Sequence, residues 1–197
     1  MIEERGGAMR AARVARAVVA LSLGVAALVG CANSDSSSGS VIEPSSAPSS
    51  AKLTPPAPDA EAAAHDKAGA AAFTEYWFAV LSYGIQTGEV ELLRKVSDPA
   101  CTACTGAIGV IQENYNDGGS LQGGVYTVRE ANTIEDFAGE VMTVAVAYDR
   151  SPRYGTSPLG VPRGRLDGKS FADCDVRVLW TSSGWKVRGI NASEQLI

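Results

Sequence analysis

Four cysteines and one histidine carry most of the reactive chemistry open to this chain of 197 residues. Cys101 and Cys104 lie three positions apart, just after Asp98 and Pro99, at the predicted start of a helix. Side chains at this spacing can reach one another, and the N-terminal end of a helix favours a thiolate. Three interpretations stay open for the pair: a structural disulfide that staples the helix, which we favour, a dithiol redox switch, or part of a metal site.

The other reactive residues restrict the chemistry further. Thioredoxin-type motifs follow a β-strand, whereas Cys101 and Cys104 follow a predicted helix and turn. The only histidine, His65, lies in an alanine-rich stretch that we expect to be exposed. We therefore expect no metal site, no Ser-His-Asp triad, no cofactor and no enzymatic activity. Cys174 shares a predicted strand face with Val176 and Val178, which is typical of a buried thiol.

Cys31 stands at the end of an export segment. Arginines precede an apolar run at 17–28, which is too short to span a bilayer comfortably. The run ends in Leu28-Val29-Gly30-Cys31, which resembles the bacterial lipobox. We predict a signal peptide at 1–30, or from Met9 if translation starts there, and a lipid anchor on Cys31 that places the protein on the extracytoplasmic face of the cell membrane. An ordinary secretory signal and an uncleaved anchor are the alternatives.

Residues 31–59 are rich in Ser, Pro and Ala and predict a disordered linker after the lipidated cysteine. The whole chain has a formal net charge of −5, and the segment before Cys31 contributes arginines, so the remainder is more acidic still. We find no basic stripe interleaved with aromatic residues. An acidic chain of this kind repels phosphate backbones, and we expect no nucleic-acid partner.

The folded part is predicted at 60–197. Asp59 is the expected cap of a helix that continues to about Gly84, followed by a short helix at 89–96. A third helix is expected to start at Ser97-Asp98-Pro99 and to run to about Tyr115. One face of the first helix carries apolar or small residues at helical spacing, namely Ala70, Phe73, Trp77, Val80, Leu81 and Gly84.

Beyond the helices the hydrophobic pattern changes to a period of two, which is typical of strands. Four strands are predicted, at 125–134, 140–148, 171–180 and 185–190. The glycine-rich stretch 117–124 is interpreted as a helix-to-strand turn, and 151–170 as a loop rich in Pro, Gly and Arg. Helices followed by antiparallel strands indicate an α+β fold.

The order of elements is similar to the cone of the NTF2-like (cystatin-like) superfamily. More closely, residues 63–190 resemble a family of actinobacterial lipoproteins of unknown function. The resemblance is carried by Phe73-x-x-Tyr76-Trp77-Phe78, Tyr83, Gly88, Ser97-Asp98-Pro99-x-Cys101-x-x-Cys104 and the paired glycines after Tyr115. It implies a long N-terminal helix and two shorter helices packed on a curved four-stranded antiparallel sheet, and it implies no activity.

NTF2-like cones often enclose an apolar pocket between the long helix and the sheet. The resemblance therefore makes a set of aromatic residues candidates for lining such a pocket: Tyr76, Trp77, Tyr83, Tyr115 and Tyr148. Glu113 and Asp136 are the acidic candidates for proton transfer inside it. Packing in the core is the competing and favoured interpretation for Tyr76, Trp77 and Tyr83. For the other candidates the favoured interpretation is a solvated or surface hydrogen-bonding side chain, namely Tyr115, Tyr148, Glu113 and Asp136.

The expected function is that of a membrane-anchored, non-enzymatic binding or accessory domain. Its partner could be an envelope protein, an envelope polymer or a small apolar ligand. The alternatives are an NTF2-like isomerase or cyclase that uses an acid and a tyrosine, and a thiol redox protein. A basic cluster could contact an anionic polymer or belong to a solvated loop, which we favour. Its residues are Arg150, Arg153, Arg163, Arg165 and Lys169.

Overall fold

The computed structural model describes residues 52–137, 140–192 and 196–197, without the side chains of 135–137. The predicted signal peptide, Cys31 and most of the predicted linker lie outside these residues. The described residues belong to one compact unit. Among them, no helix has the length and apolar character needed to cross a membrane.

Three helices pack with antiparallel strands, so the predicted α+β class is confirmed for the described part of the chain. A 3-10 turn at Ala60–Ala63 precedes them. The elements in chain order are α1 (Lys67–Thr87), α2 (Glu91–Lys95), α3 (Thr102–Tyr115), β1 (Ser120–Gly123), β2 (Tyr126–Phe137), β3 (Val141–Arg150), β4 (Arg153–Thr156), β5 (Pro162–Leu166), β6 (Lys169–Thr181) and β7 (Gly184–Ala192).

The first helix starts at Lys67 rather than at residue 60, which corrects the prediction. Asp66, not Asp59, is its cap, because a carboxylate oxygen of Asp66 accepts a hydrogen bond from the Gly69 amide at 2.8 Å. The chain before the cap lies close against the first turn of α1. Gly69 permits this approach, since a Cβ atom there would stand 2.0 Å from the Ala64 carbonyl oxygen. The six residues of the predicted apolar face of α1 are all buried.

The four predicted strands correspond to β2, β3, β6 and β7, which form one antiparallel sheet in the order β2-β3-β6-β7. Its buried side chains face the helices and build the core together with α1. In β6 the buried and exposed residues follow the predicted alternation from Cys174 through Val176 and Val178. The period-two pattern was therefore sufficient to locate this sheet.

A second sheet was not predicted. β1, β4 and β5 form a three-stranded antiparallel sheet in the order β1-β4-β5. The predicted turn at 117–124 contains β1, and the predicted loop at 151–170 contains β4 and β5, so both predictions were incomplete. These strands have four or five residues each, and few of their side chains are buried. Strands that are this short and this exposed do not alternate between apolar and polar residues, so the sequence does not reveal them.

The segment between α2 and α3 pairs with β7 instead of starting a helix. The Asp98 amide donates to the Val187 carbonyl at 2.8 Å, and the Val187 amide donates to the Val96 carbonyl at 3.0 Å. Helix α3 therefore begins only at Thr102, five residues later than the expected start at Ser97, with Cys101 as its cap. This short pairing fixes Val96 beside β7, next to the site described below.

Candidate functional site

A surface groove lies between α1, the end of α2 and the turn that leads from β6 into β7. We call it the α1–β7 groove. Its volume is about 360 Å³, which falls within the range of small-molecule pockets. Its apolar lining comes from Pro58, Phe73, Tyr76, Leu92, Val96 and Trp185.

The indole of Trp185 is fixed in the wall of this groove. Its Nε1 donates a hydrogen bond of 2.8 Å to the Ala64 carbonyl, the same carbonyl that Gly69 allows to approach α1. His65 is exposed, as expected, and its ring stacks on Trp180 with 4.4 Å between centroids. The rings of His65 and Trp185 meet edge to face, with 5.4 Å between their centroids. The single histidine thus joins the segment before α1 to the β6–β7 turn.

The opposite wall is formed by two aromatic residues of α1. The rings of Phe73 and Tyr76 lie 6.3 Å apart. Phe73 is buried, whereas Tyr76 is half-buried and faces the groove. Partial burial raises the pKa of the Tyr76 hydroxyl above its ordinary value, so it remains neutral at physiological pH. Both walls are held by packing and backbone contacts, which makes the groove largely preformed.

Of the five aromatic residues predicted for a pocket, only Tyr76 lines this groove. Trp77 and Tyr148 are fully buried. The Trp77 Nε1 donates to the Ser97 hydroxyl at 2.9 Å, and Tyr148 stacks on Phe171 with 4.7 Å between ring centroids. Both residues belong to the core. This confirms the favoured interpretation of Trp77, whereas the solvated or surface position favoured for Tyr148 was wrong.

The last two members of that set lie elsewhere. Tyr83 borders a different surface hollow, beside Leu53 and Pro56. The Tyr115 hydroxyl donates to the Ile85 carbonyl at 2.9 Å and ties α3 to α1. The five residues therefore do not line a common cavity.

The acidic candidates do not form a site with these residues. Glu113 is exposed on α3, and the side chain of Asp136 is not among those that the structure describes. Within the described residues, no cluster of three or more His, Cys, Asp or Glu side chains could hold a metal ion.

Comparison with known protein families identifies the family of this chain. Residues 41–190, which are most of the chain, match a family of unknown function (DUF6318). The chain belongs to this family. No curated protein sequence matches it.

Two solved structures are similar to the DUF6318 chain over part of its length. The intermembrane space region of the chloroplast protein ARC6 is 16% identical with a TM-score of 0.49, over 64% of this chain and 95% of the other. The Kfla4162 protein from Kribbella flavida is 12% identical with a TM-score of 0.41, over 62% of this chain and 91% of the other.

The two cysteines of the sequence motif at 97–104 are at bonding distance. The Sγ atoms of Cys101 and Cys104 lie 2.05 Å apart, and both residues are buried. Thiol exchange needs an accessible sulfur, so their burial favours the structural staple over the redox switch. Cys174 is also buried, and burial together with the Asp175 carboxylate raises the pKa of its thiol to about 12. Its thiol remains protonated and unreactive at neutral pH.

The basic residues around 150–169 are largely matched by acidic or carbonyl partners. Arg163 pairs with Asp117, and Arg165 pairs with Asp167 at 2.6 Å. Arg150 is buried and donates to the Asp167 carbonyl at 3.2 Å. This pairing reduces the positive charge that the cluster could offer to an anionic polymer.

Sequence reasoning missed most of the α1–β7 groove. Trp185 was predicted only as a strand residue. No functional role was predicted for Leu92, Lys95 or Lys186. The groove combines residues from four separate segments, and no local motif marks a surface that only tertiary packing assembles. The one available signal was the excess of aromatic residues on α1, which pointed to Tyr76.

Proposed function

We propose that this DUF6318 chain is an extracytoplasmic lipoprotein, held on the cell membrane by a diacylglyceryl group on Cys31, whose folded domain is a non-enzymatic binding module. The α1–β7 groove is the observation that carries the binding role, because it combines a suitable volume with aromatic walls fixed from several elements. The proposed ligand class is a small, mainly apolar molecule.

The proposal includes an NTF2-like arrangement of the domain. Support comes from the chain order, in which α1, α2 and α3 precede the antiparallel sheet β2-β3-β6-β7. The cysteine motif at 97–104 lies at the junction between the helices and β7, since its first residues pair with that strand.

The binding role is preferred to an isomerase or cyclase for a geometric reason. Such an enzyme needs an acid and a tyrosine that face one substrate. Glu113 is exposed on α3, whereas Tyr148 is enclosed by the rings of Phe78, Tyr126 and Phe171. These two candidates do not share an accessible surface.

Binding of a neutral fluorophore tests the groove. The probe is N-phenyl-1-naphthylamine, added to the chain from residue 32, which retains the compact unit and carries no lipid. We expect energy transfer to the bound probe from the tryptophans, of which Trp185 lines the groove. Tyr76→Ala should weaken binding about fivefold, because it removes most of one wall. Tyr83→Ala, a matched change on the same helix outside the groove, should leave affinity unchanged. Equal affinities for the two variants would remove the groove as the binding site.

Mass spectrometry tests the anchor. The mature protein isolated from bacterial membranes should begin at Cys31 and carry the mass of a diacylglyceryl group. Cys31→Ser should accumulate the uncleaved precursor, because lipid transfer needs the thiol. A mature chain that begins at another, unmodified residue would reject the lipoprotein assignment and leave the groove unaffected.

A further inference from the structure

The α1–β7 groove has two ammonium groups at its edge as well as its apolar walls. Lys95, at the end of α2, and Lys186, in β7, both line it. Neither lysine forms an ion pair with a residue that the structure describes. Lys186 interacts electrostatically with the carboxylate of Asp98. That carboxylate is already paired with Arg188 at 3.1 Å.

The positive charge at this groove contrasts with the rest of the chain. The whole protein has a formal net charge of −5, and in the basic cluster Arg163 and Arg165 are paired with acidic residues. Helix α2 has one acidic residue, Glu91, and it pairs with Arg94 at 3.4 Å. Among the described residues, Lys95 and Lys186 thus have no ion-pair partner of their own, and they bring positive charge to the edge of an apolar surface.

We propose that the α1–β7 groove binds a small amphipathic anion. The apolar body of the ligand lies against Tyr76 and Trp185, and its carboxylate, sulfonate or phosphate group contacts Lys95 and Lys186. This inference rests on the proposed binding function and specifies its ligand class. Lysine side chains suit the role, because their aliphatic stems extend along apolar surface while the ammonium groups stay in water.

The size of the groove indicates a small molecule rather than a polypeptide. A volume of about 360 Å³ accommodates two fused rings or a medium alkyl chain. Pro58 and Ala62, from the segment before α1, also line the groove. Because the ammonium groups lie at the solvent-accessible edge, their attraction for an anion is modest and is screened by salt.

A pair of fluorophores separates the apolar contribution from the charge. 1-Anilinonaphthalene-8-sulfonate and N-phenyl-1-naphthylamine share the same ring skeleton and differ by one sulfonate. Affinities of both would be measured on the chain from residue 32 and on its Lys95→Gln/Lys186→Gln double variant. Lys169→Gln removes a charge at the opposite end of β6 and is the control.

We expect the double variant to bind the sulfonate about fivefold more weakly, the effect of losing one or two exposed ion pairs. Its affinity for the neutral probe should stay within about twofold, and the sulfonate should weaken in high salt. Lys169→Gln should change neither affinity. If the double variant binds both probes as the unchanged chain does, the anion inference is wrong and the apolar groove stands. If Tyr76→Ala alters neither affinity, the groove itself is rejected and the inference with it.

Discussion

The two sheets of this domain are held in different ways. The sheet β2-β3-β6-β7 buries a row of apolar side chains against α1, including the fully buried Val144, Val176 and Val178. The sheet β1-β4-β5 buries Leu121 and little else. Its other links are polar, such as the hydrogen bond of 2.8 Å between the hydroxyls of Ser120 and Thr156.

The large sheet is therefore stabilised mainly by buried apolar side chains, and the small sheet mainly by hydrogen bonds and ion pairs. Burial of a valine or phenylalanine contributes about 1.5–3 kcal/mol, whereas exposed ion pairs contribute about 0–1 kcal/mol. The large sheet should therefore unfold only with the whole domain. The small sheet should open at a lower free energy, and the amides of β4 and β5 should exchange with solvent faster than those of β3 and β6.

The largest expected effect is in the large sheet, at Phe171. Its ring is buried and stacks on Tyr148, and the guanidinium carbon of Arg150 lies over the Phe171 ring at 5.2 Å from its centroid. Phe171→Ala should lower the free energy of unfolding by about 4 kcal/mol, because it removes the ring and leaves a cavity. Urea denaturation measures this loss.

The matched variant Phe171→Leu keeps most of the apolar volume and should cost about 1 kcal/mol. A loss below about 1 kcal/mol for Phe171→Ala would mean that the large sheet does not depend on this packing, and the comparison between the sheets would fail.

The next effect is in the small sheet, at Leu121. This side chain is buried, and the carbonyl of the same residue accepts a hydrogen bond from the Tyr115 hydroxyl at 3.3 Å. Leu121→Ala should lower the free energy of unfolding by about 2.5 kcal/mol. Amide hydrogen exchange should accelerate more in β4 and β5 than in β3. Hydrogen exchange read by mass spectrometry measures the difference. Uniform acceleration over both sheets would show that they form a single cooperative unit.

Removal of the disulfide tests how much the start of α3 contributes to stability. This helix contacts β7 of the large sheet and β1 of the small one. Replacing both Cys101 and Cys104 with alanine should lower the free energy of unfolding by about 2 kcal/mol, because the short loop is no longer closed in the unfolded chain. Cys174→Ala, which keeps the disulfide, is the control for loss of a buried thiol. Equal stability of the double variant and the unchanged protein would contradict the staple.

The same contrast explains how far the sequence could predict the structure. Alternation in the segment that contains Cys174, Val176 and Val178 located β6, since a half-buried strand displays its environment in its sequence. Asp59 was predicted to cap α1, but Asp66 does so, because its carboxylate accepts the hydrogen bond of the Gly69 amide, a contact that no local pattern distinguishes. The small sheet and the α1–β7 groove depend on contacts between distant segments. Their residues carry no local pattern.

The smallest effect concerns the ion pair between Asp117 and Arg163, which joins the end of α3 to β5. The hydrogen bond from Arg163, helped by the Gly119 amide, lowers the pKa of the Asp117 carboxyl below its ordinary value. A group with a lowered folded-state pKa stabilises the fold above its unfolded pKa of about 4, and this contribution disappears as the pH falls through the folded pKa.

The Gly119 amide, which donates to the Asp117 carboxylate at 3.1 Å, reports this titration by NMR. We expect its chemical shift to change with a midpoint below about 4, with faster exchange in β5 at the acidic end, and Asp117→Asn should abolish both changes. Asp149, which pairs with Arg129 in the large sheet at 3.2 Å, offers the matched control: Asp149→Asn should leave exchange in β5 unaltered. A midpoint for Asp117 at its ordinary value would mean that the ion pair does not form in solution and does not help to hold the small sheet.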